Sequence, residues 1–366
     1  MKILFILHYP PPVHGAAMVG ELIRSSIKIN ATFETEYINL STSHSVDEIG
    51  KGGLIKWIRY LAILSKTISK CLTFKPDFIY ITLSTTSPGL YKDSLVALLC
   101  KFLRFRVVYH LHNKGVQKNC HKPLEKRLYP WIFSNTNVIL LSPHLYHDIS
   151  NYVLTKNVRY CSNGIPEISL KKNVYSRPKT DQINLLFLSN LIKTKGIWDL
   201  MNSCKILNDK NVNFHCTVAG AEGDVTAMDL QVFIDENDLK KRISYIGKVS
   251  GAVKTKAFEE ADLFIHPTHE DCFPLVLLEA MQHKLPTIST MEGAIPEIIK
   301  DNTTGFLVKK ESPDAIAEAV IYLVQNPLKR QMLGNNAYHR FKENYTLNIF
   351  EDRLIQTFYA IMKSFN

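Results

Sequence analysis

Asp271 and Glu279, two acids eight positions apart, are the residues of this chain best suited by type and spacing to hold a ligand. Both lie in Ala261 to Glu297, which reads ADLFIHPTHEDCFPLVLLEAMQHKLPTISTMEGAIPE. The apolar run Leu263-Phe264-Ile265, ended by Pro267, has the length and flanks of a buried parallel strand. A polar turn, Thr268 to Asp271, precedes a run of helix formers from Leu275 to Met281. Pro274 falls in the first turn of that helix, where a missing N–H costs nothing. Thr287 to Thr290 reads as a second strand, so the stretch is one βαβ unit.

The chemistry follows from the helix end. Its first backbone N–H groups, around Pro274 to Val276, have no partner within the helix. With the positive end of the helix dipole they make a seat for a phosphate. Glu279, one turn in, would repel a phosphate and is better placed to accept hydrogen bonds from sugar hydroxyls. Asp271, in the preceding loop, can hold a second set of hydroxyls. A phosphate seat flanked by two such carboxylates describes a nucleotide-sugar site.

Acid, seven residues, acid, Ala-Met stands here as Asp271-CFPLVLL-Glu279-Ala280-Met281. That pattern resembles the signature of the family-4 retaining glycosyltransferases of the GT-B fold, and Gly293-Ala294-Ile295-Pro296-Glu297 extends the likeness. The first acid is usually Glu in that family, so Asp271 is one methylene short. The resemblance implies metal-independent, cofactor-free transfer of a sugar, with retention, from a nucleotide-diphosphate sugar to a glycan or lipid-linked acceptor. The setting it implies is surface polysaccharide synthesis: capsule, O-antigen or exopolysaccharide.

It also implies roles for single residues. Lys195, before Gly196, matches the lysine that grips the diphosphate. The arginine usual in the residue pair after the preceding strand is replaced by Asn190. Gly15, followed by Ala16, matches a loop glycine that approaches the diphosphate from the N-terminal domain. His112, at the end of the strand Arg106 to Leu111, matches the histidine expected at the donor hexose. His112, Lys195 and Asp271 are thus the catalytic candidates. Gly15, Ala16, Asn190, Phe273, Pro274, Leu275, Val276 and Glu279 are the donor-binding candidates. Two alternatives stay open: a GT-B nucleotide-sugar isomerase or epimerase, and a catalytically weak sugar-nucleotide-binding subunit. The HxH of His110 and His112, near Cys120 and His121, raises a zinc site, but no second pair follows at ligand spacing.

The elements that must position these residues alternate strand and helix twice along the chain. The fold expected is α/β, with two Rossmann-like doubly wound domains facing across a cleft. Residues 1–167 form the acceptor-side domain and 168–182, polar and aperiodic, the linker. Residues 183–346 form the nucleotide-sugar domain, and 347–366 a helix crossing back onto the first domain. No GxGxxG follows the first strand, Lys2 to Leu7. Leu54 to Leu72 is a helix whose stripe Leu54, Ile58, Leu61, Ile68 and Leu72 is expected against the sheet. Its other face carries Lys51, Lys56, Arg59, Lys66 and Lys70, read either as a solvated basic face or as a docking surface for anionic lipid headgroups with Trp57 near the interface.

Bulk properties bound the class. The chain has 366 residues, 46% hydrophobic and 21% charged, which suits a two-domain globular protein. No apolar run approaches the ~18 residues of a membrane span. Lys2 to His8 encloses too few apolar residues for a signal-peptide core. Seven cysteines without a CxxC read as reduced thiols, so a cytoplasmic location is expected, with peripheral contact on the inner face of the plasma membrane. The net charge of +10 lies wholly in residues 1–168, where 20 Lys and Arg face 10 Asp and Glu; the remainder balances at 24 against 24. Such a half calls for an anionic partner. No basic-aromatic module for nucleic acid is present, so membrane or phospholipid-linked acceptor comes first.

Overall fold

The computed structural model describes residues 1–11, 15–42, 53–168 and 182–365. Most of the expected linker, and Lys51, lie outside them, as do the side chains of Leu54 and Ile55. Two compact units divide the chain: Met1–Gly164 with Leu347–Asn366, and Ile165–Thr346.

The first unit is built on six parallel strands: β1 (Lys2–Leu7), β2 (Glu34–Asn39), β3 (Phe78–Thr82), β4 (Val107–Leu111), β5 (Asn137–Leu140) and β6 (Val158–Tyr160). Their order is β2-β1-β3-β4-β5-β6. Every residue of β3 and β4 is buried, the mark of strands covered on both faces. The covering helices include α1 (Gly15–Ser25), α2 (Ile27–Thr32), α3 (Leu54–Phe74), α4 (Gly89–Phe102), α5 (Val116–Asn119) and α6 (Pro123–Phe133). The C-terminal helix, Leu347–Ser364, packs on this unit, with the Phe358 ring 5.5–5.9 Å from Phe5, Phe33, Phe78 and Tyr80.

Helix α3 turns a different face to the sheet from the one its apolar periodicity indicates. Tyr60, Ile63, Thr67 and Cys71 are buried, whereas Ile58, Leu61, Ile68 and Leu72 are exposed. The buried stripe is the less apolar of the two. Between β5 and β6 the chain makes a short 3-10 turn, Pro143–Asp148.

The second unit repeats the plan with β7 (Ile183–Leu188), β8 (Phe214–Ala219), β9 (Ile243–Tyr245), β10 (Leu263–His266), β11 (Thr287–Thr290) and β12 (Gly305–Val308). All are parallel, in the order β12-β11-β10-β7-β8-β9. The chain therefore builds outward from β7 in one direction, returns, and builds outward from β10 in the other. The carboxyl ends of β7 and β10 flank the switch point, where doubly wound sheets bind ligands. Helices α7 (Ile197–Asp209), α8 (Ala227–Glu236), α9 (Gly251–Glu260), α10 (Leu275–Gln282), α11 (Ile295–Ile298), α12 (Pro313–Gln325) and α13 (Pro327–Asn344) complete the unit.

Candidate active site

At the switch point the loop after β7 lies directly on the loop after β10. The Thr194 carbonyl accepts the amides of His269 (2.8 Å) and Glu270 (3.2 Å) and the Thr268 hydroxyl (3.2 Å). Gly196 permits this approach: its φ is +76°, and a Cβ there would stand 1.9 Å from the Pro267 carbonyl oxygen. Gly293 plays the same part on the other side, with φ +52° and a Cβ position 2.3 Å from the Asp271 oxygen. Neither site accepts another residue without backbone movement.

The clamped loops bring Lys195 and Asp271 together. Lys195 Nζ donates to Asp271 Oδ2 at 2.7 Å and to the Glu270 carbonyl at 3.0 Å. His266, the last residue of β10 and almost fully buried, places Nε2 3.4 Å from the same carboxylate oxygen. The Asp271 amide donates to Glu292 Oε1 at 3.3 Å, and Glu292 is itself bonded by the Lys310 ammonium. Burial alone would raise the Asp271 pKa. The His266 hydrogen bond and the Lys195 charge outweigh it and hold the carboxyl at about 2. Asp271 is thus an anion in a fixed orientation.

Pro274 is the residue before α10 rather than its first turn, and no side chain caps the helix there. The Leu277 amide bonds the Pro274 carbonyl, while the amides of Leu275 and Val276 have no acceptor within the helix. Both residues are half-exposed. Phe273 is buried, its ring 6.2 Å from Tyr345. Glu279 Oε1 accepts from Lys254 Nζ of α9 at 2.7 Å. Asn190 is exposed.

Gly15, Ala16 and His112 belong to the other unit. Gly15 and Ala16 open α1, and a Cβ on Gly15 would meet nothing within 4 Å. The glycine that lets α1 close on β1 is Gly20, where a Cβ would lie 2.0 Å from the His8 carbonyl oxygen. His112 follows β4 with its ring 4.2 Å from that of His110, and both its ring nitrogens are covered without a hydrogen-bond partner. Burial, then the nearby His8, push its pKa down to about 3, so the ring is neutral. His110 is packed within the strand, its Nδ1 2.6 Å from the Tyr80 hydroxyl. The turn after His112 is pinned by Asp148, which accepts the amides of Gly115, Val116 and Gln117 at 2.8–3.1 Å. Among the described residues no three His, Cys, Asp or Glu side chains form a group that could hold a metal ion.

Residues 171–340 match the family model of the glycosyl transferases group 1. Over 250 residues the chain is 27% identical to the capsular polysaccharide biosynthesis glycosyltransferase CapM of Staphylococcus aureus, covering 63% of each chain. Over 235 residues it is 26% identical to the amylovoran biosynthesis glycosyltransferase AmsK of Erwinia amylovora, covering 62% of this chain and 56% of that one. These alignments thus span less than two thirds of the relatives' own length. The fold is GT-B: the structure of Anabaena HepE in complex with UDP superposes with a TM-score of 0.74 at 16% identity, over 98% of this chain and all of that one.

Within the stretch that matches this model, Lys195, Asp271 and the amino end of α10 come together at one switch point, with Glu279 one turn further on. Four participants escaped the sequence reading: His266, Glu292, Lys254 and the clamping Gly196. Gly196 carried a legible signal, a glycine between a strand's loop and a helix. Glu292 and Lys254 are distant in sequence from the groups they hold, and only the folded sheet brings them near; His266, close to Asp271 in sequence, reads as one more buried residue of a strand.

Proposed function

We propose that this protein transfers a sugar, with retention, from a nucleotide-diphosphate sugar to a glycan or lipid-linked acceptor in surface polysaccharide synthesis. The observation that carries this reading is the pairing of Lys195 with Asp271 beside the uncapped amino end of α10. As the bond to the sugar breaks, negative charge gathers on the departing diphosphate while the ring gains oxocarbenium character. Lys195 and the Leu275 and Val276 amides are the donors to meet that charge, in place of a metal. Asp271 accepts from hexose hydroxyls, and Glu279, steadied by Lys254, accepts from the ribose. Gly15, Ala16 and Asn190 are assigned to the donor, and neutral His112 to the hexose. The capsule and amylovoran roles in the names of CapM and AmsK, and the UDP in HepE, support donor class and setting.

The test is a thermal-shift panel of nucleotide sugars, followed by transfer from the stabilising donor to lipid-linked acceptors. Product anomeric configuration, read by NMR, decides retention. Stabilisation by one donor and its loss in Glu279→Ala are expected. A chain that responds to no nucleotide sugar, or that alters the donor sugar with no acceptor present, defeats the reading.

A further inference from the structure

We propose that the outer face of α3, α4 and α6 seats this protein on an anionic phospholipid membrane. This centres the contact, expected on the basic side of α3, on the helix's exposed apolar stripe and its two neighbours, and it stands independently of sugar transfer.

The connections β2 to β3, β3 to β4 and β4 to β5 all advance the same way across the sheet. Right-handed crossovers therefore put α3, α4 and α6 side by side on one face. Their outward surface is unusually apolar. Trp57, Phe102 and Trp131 are 64%, 82% and 71% exposed, and Ile58, Leu61 and Leu72 are each more than half exposed. On α3 these residues fall within an arc of about 100°, a continuous stripe at 100° per residue.

The charge around the stripe selects the occupant. The three helices carry eight Lys and Arg and two acids, and both acids, Asp93 and Glu125, are buried. So the face offers cations without an exposed acid among its helices. Lys70 is tied to Glu36 and Lys101 to the carbonyls at the end of α6. Lys66, Lys126 and Arg127 are the exposed cations of these three helices. Protein interfaces are depleted of lysine at their centres. A layer of tryptophan and leucine fringed by lysine and arginine instead suits the boundary between acyl chains and anionic headgroups. Among the described residues no helix is long and apolar enough to cross a membrane, so the contact lies along the surface.

The experiment uses the full chain with vesicles of phosphatidylcholine alone or with phosphatidylglycerol. Co-sedimentation with the anionic vesicles only is expected, with a blue shift of tryptophan emission. Trp57→Phe with Trp131→Phe should remove that shift, whereas Trp198→Phe should leave it. Lys66→Glu and Lys126→Glu should each lower partitioning roughly fivefold or more. Leu61→Ser should weaken binding without moving the thermal-shift response to the donor. No binding to either vesicle overturns the proposal, as does binding that these variants leave unchanged. A self-associating protein whose Trp57 and Trp131 are shielded without lipid also overturns it, by making the face a contact between copies.

Discussion

The ammonium of Lys195 lies 2.7 Å from Oδ2 of Asp271, across the two loops that flank the switch point of the C-terminal sheet. Seventy-six positions separate them in the chain, and the Gly196 approach to Pro267 is what closes the gap. The pair fixes a cation and an anion at one place, each able to address a different part of a nucleotide sugar.

The first prediction concerns pH. The folded carboxyl of Asp271 sits at about 2, below its ordinary 3.8. Its stabilising contribution is therefore fully present above about pH 4 and lost as pH falls toward 2, on the order of 2 kcal/mol in all. Asp271→Asn should lower stability at pH 7 and flatten the acid limb between pH 4 and 2, as read by urea unfolding at several pH values. An unchanged acid limb would show that the pair does not hold the loop.

A second prediction separates two glycines of the first helix. Gly20→Ala drives a methyl into the His8 carbonyl and should cost about 2 kcal/mol or more. Gly15→Ala meets nothing and should leave stability within about 0.5 kcal/mol. The role proposed for Gly15 adds a weaker thermal-shift response to the donor. A full response in Gly15→Ala would remove that residue from the donor site.

The alternation of strand and helix, the acid pair and the lysine before a glycine could all be read from the sequence, because each depends on neighbours within a dozen positions. The buried face of α3 could not. Ile58, Leu61, Ile68 and Leu72 make the stronger stripe, yet Tyr60, Ile63, Thr67 and Cys71 meet the sheet. Periodicity finds a stripe and says nothing of what lies opposite. The supports of the acid pair were hidden for another reason: Glu292 reaches Asp271, and Lys254 reaches Glu279, from 21 and 25 positions away. The close approach of Gly20 to the His8 carbonyl was not legible either, because it depends on how α1 lies on the strand before it.

A third prediction tests the loop clamp. Gly196→Ala puts a side chain at φ +76° and 1.9 Å from the Pro267 oxygen. A loss of about 2 kcal/mol or more is expected from denaturant melts, with activity falling further than stability because Lys195 is displaced. A variant that is both stable and active would show the loops are not held this way.

The fourth uses the covered histidine. His112 has its folded pKa pushed down to about 3, against 6.5 when unfolded. As pH falls from about 6.5 toward 3 the unfolded chain takes up a proton that the folded chain refuses, so His112 costs stability in that window. His112→Gln should therefore lose less stability than the parent between pH 7 and 4. NMR should show the His112 ring neutral at pH 5; a charged ring there would contradict the geometry.

The central claim is that Lys195 meets the charge of the departing diphosphate. The direct measurement is kcat for sugar transfer by Lys195→Ala with the donor found by thermal shift, alongside the melting temperature. The account predicts a fall of about a hundredfold or more in kcat with the fold retained. A folded Lys195→Ala protein that transfers sugar at the parent rate would contradict it.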